Sequence, residues 1–288
     1  MGDVSGFLGH QSKLEARNRR GFKGRFAFSI FQALVPIPRH MNLNGNTVLI
    51  TGGGSGIGQG LAHALHQWDS KVIIAGRRRR QLDETLRANP GMEAVELDIT
   101  DAGSIAAFAQ SLVSKYPSLN VLVNNAGIMR TDDVSGAVSE EDLISTISTN
   151  LLGPIRLTSA LIGHLKRQPA AAVINVTSGL AFTPKATSAV YSATKAALHS
   201  YSLSLRYQLK NSPVRVLELA PPWVQTDLTP GQKTEPRAMP LADYLREAIA
   251  LLETDSDEIL VERVRPQRNN AGPNEHVFVD TFNDRFKG

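Results

Sequence analysis

The 288-residue chain, 42% apolar and 20% charged, has the composition of a globular protein and the length of one large α/β domain or two small ones. With no cysteine it can hold neither a disulfide nor a thiolate metal site, and its seven histidines include no His-x-x-x-His pair. The net charge of +4 is concentrated at one end. Residues 1–40 carry seven Lys/Arg against two acids, leaving 24 bases and 25 acids elsewhere, so the basic pI gives no footing to nucleic-acid binding by the domain.

Residues 1–40 read as a basic N-terminal extension: polar to about residue 25, then the short apolar run Phe26 to Pro38. That run is too short to span a bilayer, and no small-x-small cleavage site follows it. Met41 stands where a natural start would fall, so the extension reads as a mis-start, a tag, or a disordered, targeting or contact arm. The expectation is a cytoplasmic protein with no membrane partner.

From Met41 to residue 288 strand-length apolar runs alternate with helix-period segments. Thr47–Ile50 reads as a strand buried on both faces, Ile57–Trp68 as a helix, and Lys71–Ala75 as a second strand. A helix over 78–88 leads to a strand at Ala94–Leu97, and a helix over 102–116 to Val121–Val123. One long helix is expected from Glu140 to about Leu165, then a strand at Ala171–Val176, a helix through Tyr191 to about Leu209, and a strand at Val214–Leu219. Leu241, Tyr244, Leu245, Ala248, Ile249 and Leu252 share a helical face, Ile259–Val261 reads as a last strand, and Phe278, Phe282 and Phe286 mark a closing helix from near Pro273. The alternation predicts one α/β domain, a doubly wound parallel sheet flanked by helices. Ligands bind such sheets at the strands' C-terminal ends, where the polar 221–240 stretch falls.

Thr51-Gly52-Gly53-Gly54-Ser55-Gly56-Ile57-Gly58 joins the first strand to the first helix. Glycines there permit a tight turn and let backbone N–H groups approach a pyrophosphate. After the second strand, where an acid would accept from a ribose 2′-hydroxyl, the chain has Arg77-Arg78-Arg79-Arg80. Arg77 suits a 2′-phosphate, so NADP(H) is expected over NAD(H); Arg79 and Arg80 read as a solvated helix start. Further on, Tyr191 and Lys195 are four apart on a helix and face one way. A cation beside a phenol favours its ionised form, which equips Tyr191 to exchange a proton with an alcohol or carbonyl oxygen.

With these motifs in order the chain resembles the short-chain dehydrogenase/reductase family, in its compact branch, over about residues 41–270. The resemblance rests on the Thr51–Gly58 turn, Asp98-Ile99, Asn124-Asn125-Ala126-Gly127, Asn150, Ser178 and Tyr191/Lys195. The wording of LITGG, INVTSGLAF and FNDRF resembles the DltE-like bacterial oxidoreductases. The resemblance implies a Rossmann-type fold and an oxidoreductase interconverting a carbonyl and a secondary alcohol. It implies Tyr191 as general acid/base, Lys195 lowering its pKa and holding the nicotinamide ribose, and Ser178 bonding the substrate oxygen. Asn150 would anchor a water beside Lys195. Gly52, Ser55, Gly56, Ile57, Gly58, Arg77, Asp98, Ile99, Asn125, Ala126, Gly127, Tyr191, Lys195 and Thr226 would line the cofactor.

Pro221-Pro222-Trp223 departs from the family's usual Pro-Gly, and Trp223 is expected to line the substrate side. Leu180, Phe182, Val190, Trp223 and Met239, with few charges in 179–190 and 223–240, point to a neutral or apolar small-molecule substrate. A homodimer or homotetramer through helices 140–165 and 190–209 is implied by the resemblance. The alternatives are a catalytically silent NADP-binding regulatory protein, set against by the intact Ser178, Tyr191 and Lys195, and a sugar-nucleotide epimerase or dehydratase, set against by the glycine spacing.

Overall fold

The computed structural model describes residues 42–270 and 272–286. The basic extension expected over 1–40, and Met41, lie outside them.

The described residues build a seven-stranded, all-parallel sheet in the order β3-β2-β1-β4-β5-β6-β7. The strands are β1 (Thr47–Thr51), β2 (Lys71–Gly76), β3 (Glu93–Glu96), β4 (Leu119–Asn124), β5 (Ala171–Val176), β6 (Val214–Leu219) and β7 (Glu258–Ile259). The connecting helices α1 (Gly56–Gln67), α2 (Arg79–Ala88), α3 (Ala102–Lys115), α4 (Glu140–Ile147), α5 (Gly153–Leu165), α6 (Ala189–Leu209) and α7 (Leu241–Leu252) cover both faces, and α8 (Arg265–Asn269) and α9 (Glu275–Asp284) follow. Strand side chains alternate between two cores, as a sheet covered on both faces requires. Val48, Ile50, Val72 and Ile74 pack with α1 and α7, while Leu49, Ile73, Leu122 and Val173 pack with α3 and α5. The sheet order reverses between β1 and β4, and the crevice at their C-terminal ends is where such folds place a ligand.

Three expectations change in detail. The single helix expected from Glu140 to Leu165 is two helices, α4 and α5, joined by a π-helical turn at Ser148–Leu152. Pro154 has no N–H to donate back along the helix, so the backbone widens just ahead of it. The last strand is Glu258–Ile259; Val261 stays buried but leads into a 3₁₀ turn at Glu262–Val264. The 221–240 stretch, read as an aperiodic loop, folds back on itself: Met239 N–H donates to Trp223 O at 2.8 Å and Gln225 N–H to Met239 O at 2.9 Å. Among the described residues no helix is long and apolar enough to cross a membrane.

Candidate active site

The Gly52–Gly58 turn carries the chain from β1 into α1. Gly52 has φ +67° and Gly56 φ +53°, a region costly for residues with a Cβ. A Cβ on Gly58 would collide with Asn125 Nδ2 and lie 2.5 Å from Gly52 O. That close approach lets Asn125 Nδ2 donate to Thr51 O at 2.9 Å and Gly52 O at 3.3 Å. Thr51 Oγ1 in turn accepts from the N–H groups of Asn125 and Ala126, each at 3.0 Å. The glycine turn and the end of β4 are thus one welded unit. At the start of α1, Ser55 makes no side-chain cap and the first turn has no acid, which leaves the helix's N-terminal donors facing a cavity of about 380 Å³.

That cavity runs along the sheet's switch point and is lined by Gly52, Ser55, Gly56, Ile57, Arg77, Ile99, Asn125, Ala126, Gly127, Ser178, Tyr191, Lys195 and Thr226. Three expected residues stand back from it. Gly58 supports the turn through Asn125. Asp98 accepts from Thr100 N–H at 2.9 Å and Thr100 Oγ1 at 2.7 Å, and pairs with Arg77 at 3.9 Å. Burial pushes the Asp98 carboxyl up, and Thr100 and Arg77 together outweigh it, so its pKa is lowered. Asp98 does not cap α3, since Asp101 accepts from Gly103 and Ser104 N–H there.

Asn150 is the third. It is fully buried in the π-helical turn, which turns its side chain toward the 127–128 backbone. Its Nδ2 donates to Ile128 O at 2.9 Å and Thr194 Oγ1 at 3.2 Å, and its Oδ1 accepts from Ile128 N–H at 2.9 Å. A Cβ at Gly127 would lie 3.4 Å from Asn150 Oδ1 and 3.7 Å from Lys195 Nζ, so Asn150 braces the loop that faces Lys195.

The N-terminus of α6 carries Tyr191 and Lys195, both buried. Ser188 does not cap it with its side chain. Asp132, from the loop after β4, accepts from Ala189 N–H at 2.8 Å and Val190 N–H at 3.0 Å. This distant carboxylate complements the helix dipole and fixes where Tyr191 begins. Lys195 Nζ donates to Val176 O at 2.7 Å, at the end of β5, and lies 5.6 Å from the Tyr191 ring centroid. Ser178, two residues beyond β5, lines the same cavity as Tyr191, and its Oγ accepts from Leu180 N–H at 3.1 Å.

The expected lowering of the Tyr191 pKa by Lys195 is not what these surroundings give. Burial pushes the phenol up to about 12, and the nearby Ser178 hydroxyl offsets part of that. Burial likewise pushes Lys195 down to about 8. Near neutral pH Tyr191 is therefore a protonated phenol beside a mostly charged ammonium.

Other lining residues carried no signal in the sequence. Arg78 also reaches the cavity, and its guanidinium donates to Ser55 Oγ at 3.4 Å, so a second cation stands beside Arg77 at the turn. Arg79 and Arg80 pair with Asp83 and Glu84 along α2, as a solvated helix start would. Gln232 is buried and donates to Val224 O at 2.7 Å and Thr226 Oγ1 at 3.1 Å, which orients the Thr226 hydroxyl. Among the described residues His199, Glu218 and Glu258 bring possible metal-ligand atoms within 4.8 Å of one another. Their oxygens are already used: Glu218 binds Thr177 and His199, and Glu258 binds Arg268.

A second cavity, about 320 Å³, opens on the other side of Ser178 and Tyr191, and both residues line both cavities. Of the five side chains expected on this side, Leu180 and Trp223 line it. Phe182 instead packs edge-on against His199, Met239 is buried in the core, and Val190 does not line it either. Phe282 of α9 and Phe286, just beyond it, complete its apolar wall, with Phe286 edge-on to Trp223 at 5.7 Å.

Comparison with known proteins agrees with this geometry. Residues 46–237 match the family model for short chain dehydrogenases. The uncharacterized oxidoreductase DltE of Bacillus subtilis (strain 168) is 40% identical over 234 residues, 80% of this chain and 93% of that protein. A short chain dehydrogenase from Burkholderia cenocepacia J2315, solved in complex with NADP, superposes with a TM-score of 0.74 at 26% identity, covering 84% of this chain and 98% of that one. The 3-ketoacyl-(acyl-carrier-protein) reductase of Brucella melitensis, solved with NADH, gives a TM-score of 0.67 at 28% identity, covering 74% and 92%. With a welded glycine turn at the switch point, a buried Ser-Tyr-Lys set beyond it and a family match over most of its length, the chain belongs to the short-chain dehydrogenase/reductase family of NAD(P)-dependent oxidoreductases.

Proposed function

We propose that this protein is an NADP(H)-dependent oxidoreductase that interconverts a carbonyl and a secondary alcohol, with Tyr191 as general acid/base. The observation that carries the reading is the junction: Ser178 and Tyr191 together line both the cofactor-sized cavity and the apolar cavity beyond it. A carbonyl oxygen held there meets two hydroxyl donors, while the carbon faces the first cavity. When bound in the first cavity, a nicotinamide cofactor would supply the hydride for that carbon.

Tyr191, held as a neutral phenol by burial, gives its proton to the oxygen as negative charge develops. Ser178 donates a hydrogen bond to the same oxygen. The Lys195 ammonium, anchored on Val176 O, stabilises the phenolate that Tyr191 leaves and is in reach of a ribose in the first cavity. Asn150 acts one step back, by holding the 127–128 backbone opposite Lys195.

The preference for NADP(H) rests on Arg77 and Arg78 together, since both line the cavity beside the turn. Titration with NADPH and NADH, followed by fluorescence, tests it on wild type, Arg77→Ala and Arg78→Ala. The expected result is tighter NADPH binding, by roughly tenfold or more for a charge-assisted contact, shrinking in each variant. Equal binding of the two cofactors, unmoved by either substitution, overturns the preference. The homo-oligomer reading is supported by exposed Ile144 on α4 and exposed Leu203 and Tyr207 on α6, and light scattering on the intact chain tests it. A monomer at micromolar concentration would count against it.

A further inference from the structure

The second cavity combines an apolar wall with an excess of positive charge. Leu180, Met129, Trp223 and Phe282 face it, and so do Lys185, Arg237, Arg263 and Arg285, with no Asp or Glu among its lining residues. The cations are not equivalent. Glu235 neutralises Arg237 with two contacts, at 2.8 and 3.1 Å. Arg263 is exposed and donates to Arg237 O at 3.2 Å, and Arg285 is exposed at the end of α9.

Lys185 is half-buried and held in place from three sides. Its own N–H donates to Ser192 Oγ at 3.2 Å. The residues flanking it are both tied to Asn283 of α9: Ala186 N–H donates to Oδ1 at 2.6 Å, and Nδ2 donates to Pro184 O at 3.0 Å. Its ammonium sits 5.0 Å from the Phe286 ring centroid. Burial, and then the like charge of Arg237, hold that ammonium below its usual range, as expected for a cation whose surroundings do not compensate it. A partly desolvated cation and hydrogen-bond donors for a carbonyl, in the wall of one largely apolar chamber, suit a ligand that carries an anion, an apolar body and an oxo group.

We propose that the substrate is an apolar carbonyl compound carrying a carboxylate, which Lys185 binds while Ser178 and Tyr191 hold the reacting oxygen. The proposal rests on the oxidoreductase reading above and narrows its substrate class. A carboxylate is assigned over a phosphate because Lys185 alone of the four cations is partly buried: Arg237 is paired with Glu235, and Arg263 and Arg285 are exposed and solvated, so the chamber offers about one unit of desolvated charge.

The test is a binding measurement that needs no turnover. Isothermal titration of the full-length protein loaded with NADP⁺ uses cyclohexanecarboxylate, its methyl ester and cyclohexyl phosphate, on wild type, Lys185→Met and Lys185→Arg. The carboxylate is expected to bind about tenfold tighter than the ester, a margin typical of one charge-assisted hydrogen bond. That margin should vanish in Lys185→Met and persist in Lys185→Arg. An ester that binds as tightly as the acid, a margin that survives in Lys185→Met, a phosphate bound more tightly than the carboxylate, or no binding of any of the three overturns the proposal. The parent reading fails separately, if the same protein consumes no NADPH with any ketone or aldehyde, neutral ones included, while the carboxylate margin stands.

Discussion

The two sides of the catalytic junction are built by different means. On the cofactor side, backbone atoms set the shape: Gly52 and Gly56 adopt positive φ, Gly58 lets Asn125 come within bonding distance of the turn, and Thr51 ties both to the end of β4. The pieces come from the β1–α1 turn and the ends of β2 and β4, neighbours in the sheet. On the substrate side, side chains set the shape, and they come from stretches far apart in sequence: 179–185, 221–237, 263–267 and 282–286. A backbone-built site tolerates few residue types at its tight points, whereas a side-chain-built one can be repacked by changing any of four segments. The cofactor half should therefore be brittle and the substrate half adaptable.

The largest expected effect lies at the junction both halves share. Tyr191→Phe removes the proton donor while keeping the ring, so kcat should fall by roughly 10²–10⁴-fold, the range for loss of general acid catalysis. The cofactor dissociation constant should change little, because no cofactor-side contact above depends on the hydroxyl. Steady-state kinetics beside a binding titration checks both. If kcat survives within a few-fold, another group supplies the proton.

Gly58→Ala tests the brittleness. The added methyl meets Asn125 Nδ2 and Gly52 O, which are held by the Asn125 amide's bonds to Thr51 O and Gly52 O, so neither can move without loosening the turn. A cost of about 1–3 kcal/mol in denaturant stability is expected, as for overpacking at a rigid site, with cofactor binding weakened in parallel. An unchanged denaturation midpoint would show that the weld between the turn and β4 is softer than its contacts imply.

The two halves also differ in how they answer to pH. Lys195, pushed by burial down to about 8, loses its proton as pH rises through that value, while Tyr191, pushed up to about 12, keeps its own. Reduction needs both the phenol and the charged ammonium. The reductive kcat should therefore be level below about pH 8 and fall above it, approaching tenfold per pH unit. Lys195→Arg should remove that limb from the profile. A wild-type profile flat to pH 10 would mean that Lys195 stays charged, and that something in the loaded site compensates its burial.

Legibility in the sequence followed the same division. The alternating strands, the glycine turn and the Tyr191/Lys195 pair were readable because each is fixed by a local rule: a period, a residue without Cβ, or a spacing of four along a helix. The π-helical turn at Ser148–Leu152 was not, since the long helical pattern hid the effect of Pro154 on the backbone ahead of it. Asn150 enters from the sequence only through the family resemblance, because its contacts with Ile128 bridge 22 positions of chain. Arg78 stands between Arg77, read as a phosphate ligand, and Arg79 and Arg80, read as a solvated helix start, and only the folded start of α2 shows that it sides with Arg77. The cationic character of the substrate cavity was hidden for the same reason. Lys185 and Arg237 are single charges in apolar or mixed stretches, and Arg263 and Arg285 arrive only when the C-terminal segments fold back.

Asn283 offers the finest test of the adaptable half. Its amide bonds both neighbours of Lys185 and so ties α9 to the 184–186 loop. Asn283→Ala leaves the aromatic wall and the junction intact and removes those two bonds, of which each is worth about 0.5–1.5 kcal/mol in a partly exposed setting. The segment should loosen locally without global unfolding, because Phe286 still packs on Trp223 and Phe282. The expected result is a several-fold rise in KM for the carbonyl substrate, with the NADPH dissociation constant unchanged and kcat altered less than KM. A matching loss of NADPH affinity would show that the two halves are mechanically coupled through the junction, and the division between a brittle and an adaptable side would then fail.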